Sequence, residues 1–180
     1  MKNETAHAQL PRLTLSRGAA GTLGGLAAGA VYIVAQVILS ALVQGGSAAA
    51  PVERIAAMLM GSDAAPPGAG FSFTVLGMAA IIHFALSITF GQLVSSLVWH
   101  RRARAGLLVG AMTGIALYGL NFEIIAPLAF PWFEDSVTWV SLVDHALFGM
   151  VAAAVCLALR GNAAQDAPQQ AAAGGTTTSG

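Results

Sequence analysis

Charge is what this chain has least of. Of its 180 residues only 9 % are charged, eight Lys+Arg against eight Asp+Glu, where a soluble domain carries roughly 25 %. So few ionised groups could not cover a globular surface. With 56 % hydrophobic residues, bulk disorder is excluded too, since disorder needs low hydrophobicity and high charge. No basic excess is available to neutralise phosphates, so nucleic acid is not an expected partner. A single cysteine, Cys156, permits neither an internal disulfide nor a thiolate metal cluster. A polytopic membrane protein remains.

What is present in quantity is apolar runs, and roughly 20 residues at 1.5 Å rise cross a ~30 Å hydrocarbon core. Four such runs occur, at about 19–43, 71–99, 105–122 and 137–159. The expected fold is therefore all-α, a four-helix transmembrane bundle over 18–160. A segment 1–17 precedes it, and a tail 161–180 without a periodic apolar face is expected to be disordered. Lys2, Arg12, Arg17, Arg101, Arg102, Arg104 and Arg160 fall on one side of this layout, with Arg54 alone on the other. The positive-inside rule then puts both termini and the 100–104 turn in the cytoplasm. Trp99, Trp132 and Trp139 fall at the expected interfaces. The run of about 25 residues in span one exceeds a signal-peptide core, so it reads as an uncleaved anchor despite Ser47-Ala48-Ala49-Ala50.

Glycines recur every fourth residue in span one (Gly21, Gly25, Gly29) and in span three (Gly106, Gly110, Gly114). Residues four apart share a helix face, and glycine there lets two backbones approach closely. The two rows are offset by 85 positions; spans two and four match at an offset of 62, which carries His83 onto His145. Two parallel-repeated helical hairpins would give this pattern; chance similarity between Gly- and Ala-rich helices is the competing explanation. Glycine rows left unused inside the bundle would serve a homo-oligomer or a larger membrane complex.

Ionisable groups at membrane depth are costly and point to function by default. His83 lies about 16 Å and His145 about 14 Å from the outer face, with Tyr32 and Tyr118 about 10 Å below it. These four side chains form one expected layer, with Gln36 and Asn121 above it and Glu123 near the surface. Asp144 is about 100° round the helix from His145 and is expected to face the outer water.

Three readings of this layer stand. The histidines and tyrosines satisfy one another as interhelical contacts in a non-enzymatic structural or accessory protein. Alternatively the layer lines a path for protons or a small solute. In the third reading His83 and His145 ligate haem or a metal. No cofactor is expected on the first two. No nucleophile–base signature or phosphate-cradling loop points to an enzyme.

Outside the spans, Pro51 to Met60 reads as an interfacial helix with Ile55, Met58 and Leu59 on one side. The stretch Pro127 to Phe133 reads as an elbow that no regular helix continues past. The segments His83-Phe-Ala-Leu-Ser-Ile-Thr-Phe-Gly91, Phe130-Pro-Trp-Phe133 and His145-Ala-Leu-Phe-Gly149 resemble small four-span bacterial inner-membrane proteins, loosely the YagU-like family. The resemblance covers roughly residues 75–160. It implies location and architecture, because those families have no assigned chemistry.

Overall fold

The computed structural model describes residues 15–43, 45, 47–64, 72–131, 133 and 138–160. Lys2, Arg12, Trp132, the tail 161–180 and the expected span starts at 71 and 137 lie outside them. Six α-helices follow one another: α1 (Arg17–Val43), α2 (Ala50–Met60), α3 (Phe73–Val98), α4 (Ala103–Tyr118), α5 (Ala126–Ala129) and α6 (Trp139–Leu159). A π-helical stretch, Gly119–Ile125, joins α4 to α5. Four helical segments are long and apolar enough to cross a membrane: Arg17–Val43, Phe73–Val98, Ala103–Ala129 and Trp139–Leu159.

The surface supports the same conclusion. Leu42, Ile81, Leu108, Met112 and Leu128 are exposed, while the interior holds Gln36, Ser87, Ser95, Thr113, Ser141, Asp144 and His145. Water would penalise an apolar patch of that extent; lipid does not. The chain is a membrane protein.

Glycine sets how closely the helices approach. A Cβ on Gly25 or Gly110 would collide with the backbone carbonyl oxygen of Ser87 or Gly149 respectively, and one on Gly114 with that of His145. The α1–α3 and α4–α6 seams are thus backbone against backbone. They are also copies of each other. Gly25 meets Ser87 as Gly110 meets Gly149, Gly21 meets Ser95 as Gly106 meets Leu157, and Gly29 meets His83 as Gly114 meets His145. Every pair maps onto its counterpart by the offsets of 85 and 62. Gly77 of α3, by contrast, has nothing within 4 Å of its Cβ position. Seam glycines are spent inside the bundle, so an oligomer would have to use other faces.

Between the two hairpins, α1 lies on α6. Gly24 faces Ala152 and Cys156, and the Cys156 thiol donates to the Ala20 carbonyl at 3.4 Å. One end of the bundle carries Arg17, Arg101, Arg102, Arg104 and Arg160; we call it the basic end. There Arg160 donates to the Trp99 carbonyl at 2.5 Å and Arg101 to the Leu97 carbonyl at 3.0 Å. Both cations therefore complement the negative C-terminal end of α3.

Two segments at the far end differ from expectation. α2 does not merely rest on an interface: its Ala56 and Ala57 bury against Val75 and Ala79 of α3. Of the three residues expected on its apolar side, Leu59 is exposed while Ile55 and Met58 turn toward the bundle. The third span does not stop at Glu123, and its helix passes Pro127. Proline lacks an N–H and clashes with the carbonyl four residues back in an α-helix; the wider π-turn before it, with Ala126 N–H bonded to the Asn121 carbonyl, accommodates the ring. The helix ends at Ala129, and Phe130 adopts φ −140°, ψ 66°, outside the helical region that Pro131 disfavours for the residue before it. The extra π residue also rotates the face. Phe122 and Ala126 are buried, whereas Ile124 and Leu128, which uninterrupted α periodicity would place inward from Leu117, are exposed.

Gly149→Leu is expected to force α4 and α6 apart and to cost about 1–3 kcal/mol or more. Thermal unfolding in detergent should show it as a lowered midpoint and loss of a monodisperse species. Gly77→Leu, with open space around it, should leave both unchanged.

Candidate functional site

The site lies in the half of the bundle away from the basic end, where α3 and α4 diverge from their short connecting turn. The strong pairings are α1 with α3, α4 with α6 and α1 with α6; α3 and α4 meet far less. The repeat explains why. Its symmetry would make α4–α3 a copy of the tight α1–α6 seam. However, the positions equivalent to Gly24 and Ala152 are Val109 and Phe90. Two small residues became two large ones, and the helices stand apart.

The gap is a partly open cavity of about 130 Å³. Phe90, Leu117, Phe122 and Phe148 supply much of its apolar wall, Ile55 and Met58 of α2 close over it, and Phe130 and Phe133 of the elbow complete the rim. Three of the side chains predicted to form a layer line it, Tyr32, His83 and His145, together with Asn121.

Their contacts fix much of their chemistry. His83 Nε2 is 2.9 Å from the Gly29 carbonyl oxygen. His145 Nδ1 is 2.8 Å from the Ser141 carbonyl oxygen. A carbonyl only accepts, so each of these nitrogens carries the proton, and in the neutral ring the other nitrogen keeps its lone pair. For His145 that is Nε2, and Asn121 Nδ2 stands 3.4 Å from it as donor. Tyr32 Oη is also 3.4 Å from His145 Nδ1, a long contact that leaves the phenol able to turn to another partner. Ser87 Oγ donates to the His83 carbonyl at 2.7 Å. The Tyr32 ring touches both imidazoles, with centroids 5.8 Å from His83 and 5.1 Å from His145.

The remaining predicted groups separate. Tyr118 is half-buried and stands by ring contact against His145 and Phe122, at 5.7 and 5.2 Å. Glu123 is exposed and takes no part. Asn121, expected above the layer, belongs to it, in the π-turn that also buries Phe122. Asp144 departs furthest from expectation: rather than facing water it is 0 % exposed, and neither carboxyl oxygen has a hydrogen-bond partner. The cause is register. α1 and α6 run antiparallel with Ala20 by Cys156, Gly24 by Ala152 and Tyr32 by His145. One turn further along the same seam, Gln36 comes level with Ser141 and Asp144. Gln36 is buried as well, and its Oε1 is unpartnered.

Toward the basic end the bundle closes. Ala28, Val94, Val98, Ala152, Ala153 and Cys156 form one buried cluster, and Tyr32 and Phe90 pack on its top. Among the described residues no three His, Cys, Asp or Glu side chains come together to hold a metal ion. His83 and His145 each face a backbone carbonyl and share Tyr32 as a neighbour; they are not opposed across an open slot as two axial haem ligands would be. Sequence reading missed Ser87, Phe90, Leu117 and Phe148 as site residues. The signal was there in the exchange of Gly24 and Ala152 for Val109 and Phe90 between the repeats.

Fold and site define a four-span membrane bundle with an aromatic pocket that carries a few fixed polar groups. No protein-family model matches the chain, and neither a curated protein nor a solved structure matches it.

An unpartnered buried carboxyl costs stability. Asp144→Leu is therefore expected to raise the thermal midpoint in detergent, by an amount on the order of 1–3 kcal/mol. A lowered midpoint would show that the carboxyl is satisfied in the membrane by a group that joins it there.

Proposed function

We propose that the chain is a multi-pass bacterial inner-membrane protein with both termini cytoplasmic. In this reading it is non-enzymatic and acts as an accessory component that holds a small, mainly apolar molecule in the outer half of the bundle. Kinship with the YagU-like proteins belongs to the same proposal. The observation that carries the binding reading is the α3–α4 cavity: apolar walls with a small number of oriented polar groups are the usual character of a ligand pocket. The closed glycine and alanine packing toward the basic end supports holding over conduction. A proton or solute path would need unspent polar groups through that half, and the buried hydroxyls there, Ser95 and Thr113, donate to the Arg17 and Val109 carbonyls. The spacing of the two imidazoles around Tyr32 gives haem and metal ligation no support.

Two measurements test this reading. Native mass spectrometry of gently solubilised protein should show a bound organic molecule of low mass. Leu117→Trp, which fills the pocket, should be free of it. Protein that carries nothing and takes up no single-ring aromatic compound overturns the binding reading. For orientation, a reporter that is active only in the cytoplasm should be active when fused after Gly180, and activity there of a reporter that works only on the external side overturns the layout.

A further inference from the structure

We propose that the α3–α4 pocket takes a single phenolic ring, recognised through its hydroxyl by the lone pair that His83 keeps on Nδ1. This rests on the binding reading above and specifies its ligand. Size comes first. A dry apolar cavity of about 150 Å³ accommodates benzene, so about 130 Å³ is room for one six-membered ring. The walls agree with an aromatic occupant: Phe90, Phe122, Phe133 and Phe148 line the cavity and offer edges and faces for the tilted contacts that ring pairs prefer.

Hydrogen-bond polarity then narrows the class. His83 spends its Nε2 proton on Gly29 and His145 its Nδ1 proton on Ser141. His145 Nε2 already accepts from Asn121 Nδ2 at 3.4 Å, whereas His83 keeps an acceptor on Nδ1, its tautomer locked by a backbone carbonyl that cannot donate in return. Ser87 spends its proton on the His83 carbonyl, so its oxygen is likewise an acceptor. Tyr32 can adapt, because a phenol both donates and accepts, and Asn121 is engaged with His145 Nε2. Such a pocket favours a hydroxyl that donates over an ether or carbonyl that only accepts. An occupant without a donor leaves buried acceptors unpaired, and that mismatch is what gives polar sites their discrimination.

Two sources present this chemistry: a free small phenol, and the reduced dihydroxy headgroup of a lipid-soluble isoprenoid carrier. The second would run its tail between α3 and α4, where the helices stand apart.

The full chain in lipid nanodiscs should be titrated with 1,4-dihydroxybenzene, its mono-prenylated form and 1,4-dimethoxybenzene, with binding followed by calorimetry. Both dihydroxy compounds are expected to bind at least tenfold more tightly than the dimethoxy compound, and His83→Phe should reduce that preference to near unity. Because His83 also ties α3 to α1, Met58→Trp serves as a second variant. It fills the cavity from α2 without touching a polar group and should abolish binding of all three at unchanged thermal stability. Equal affinity for the dihydroxy and dimethoxy compounds overturns the phenolic assignment and leaves the pocket reading standing. Binding of none of the three overturns both. If the prenylated ring binds more tightly than the bare one, the source is the lipid-soluble carrier; equal affinities identify a free phenol.

Discussion

Contact between helix backbones is the constraint on which this molecule depends. Lipid tails are as apolar as leucine, so burying hydrocarbon between two spans gains nothing over leaving it in the bilayer. Packing and hydrogen bonds must supply the association, and both require close approach. The glycine rows allow it. A methyl group at Gly25, Gly110, Gly114 or Gly149 would occupy space already filled by the facing strand of carbonyls. The same closeness lets side chains reach main-chain groups across the seams, as when Ser95 donates to the Arg17 carbonyl at 3.0 Å and Gln92 to the Gly18 carbonyl at 2.9 Å. These are bonds between helices that in water would compete with solvent and here do not.

The pocket follows from a departure in that scheme rather than from an addition to it. Two hairpins with matching seams, joined through one tight interface between α1 and α6, would by symmetry have a second tight interface between α3 and α4. Val109 and Phe90 occupy the positions where the first interface has Gly24 and Ala152. The opening they cause is closed from the far end by α2 and the Phe130–Phe133 elbow, and floored by the aliphatic cluster. His83 and His145, equivalents in the repeat, thereby come to line one cavity while keeping their separate ties to Gly29 and Ser141.

Composition and periodicity made the architecture legible. Apolar runs placed four spans, and the glycine spacing placed the faces on which they meet, because a fourfold repeat has a single geometric reading on a helix. The histidine–tyrosine layer was legible too, since depth is only rise per residue. Lateral position was not. Whether Asp144 turns outward or into the α1–α6 seam depends on the mutual register of two helices, which neither sequence states alone. Asn121, counted above the layer by rise alone, reaches His145 from the π-turn before Pro127, a turn that also shifts every later residue round the helix and that uniform α periodicity cannot anticipate. That turn had a warning in the proline itself, whose missing N–H an α-helix tolerates poorly.

Asp144 is the point where stability and use diverge most clearly. A serine or alanine would fill its place in the seam without an orphaned polar group, and the neighbouring positions Ser141, Gly149 and Ala153 show how small such residues are elsewhere on α6. Both its oxygens lack partners while Gln36, level with it on α1, also has a bare oxygen. An unpartnered carboxyl and an unpartnered amide oxygen buried in one seam do not arise from packing demands, which favour their removal. They lie one turn beyond Tyr32, the residue that touches both imidazoles and the only side chain at the cavity with a freely adaptable hydroxyl. The polar groups thus continue from the pocket along the α1–α6 seam toward the far end. The unpartnered oxygens of Asp144 and Gln36 mark that stretch of the seam as a place where burial is costly and packing alone gives no reason for it.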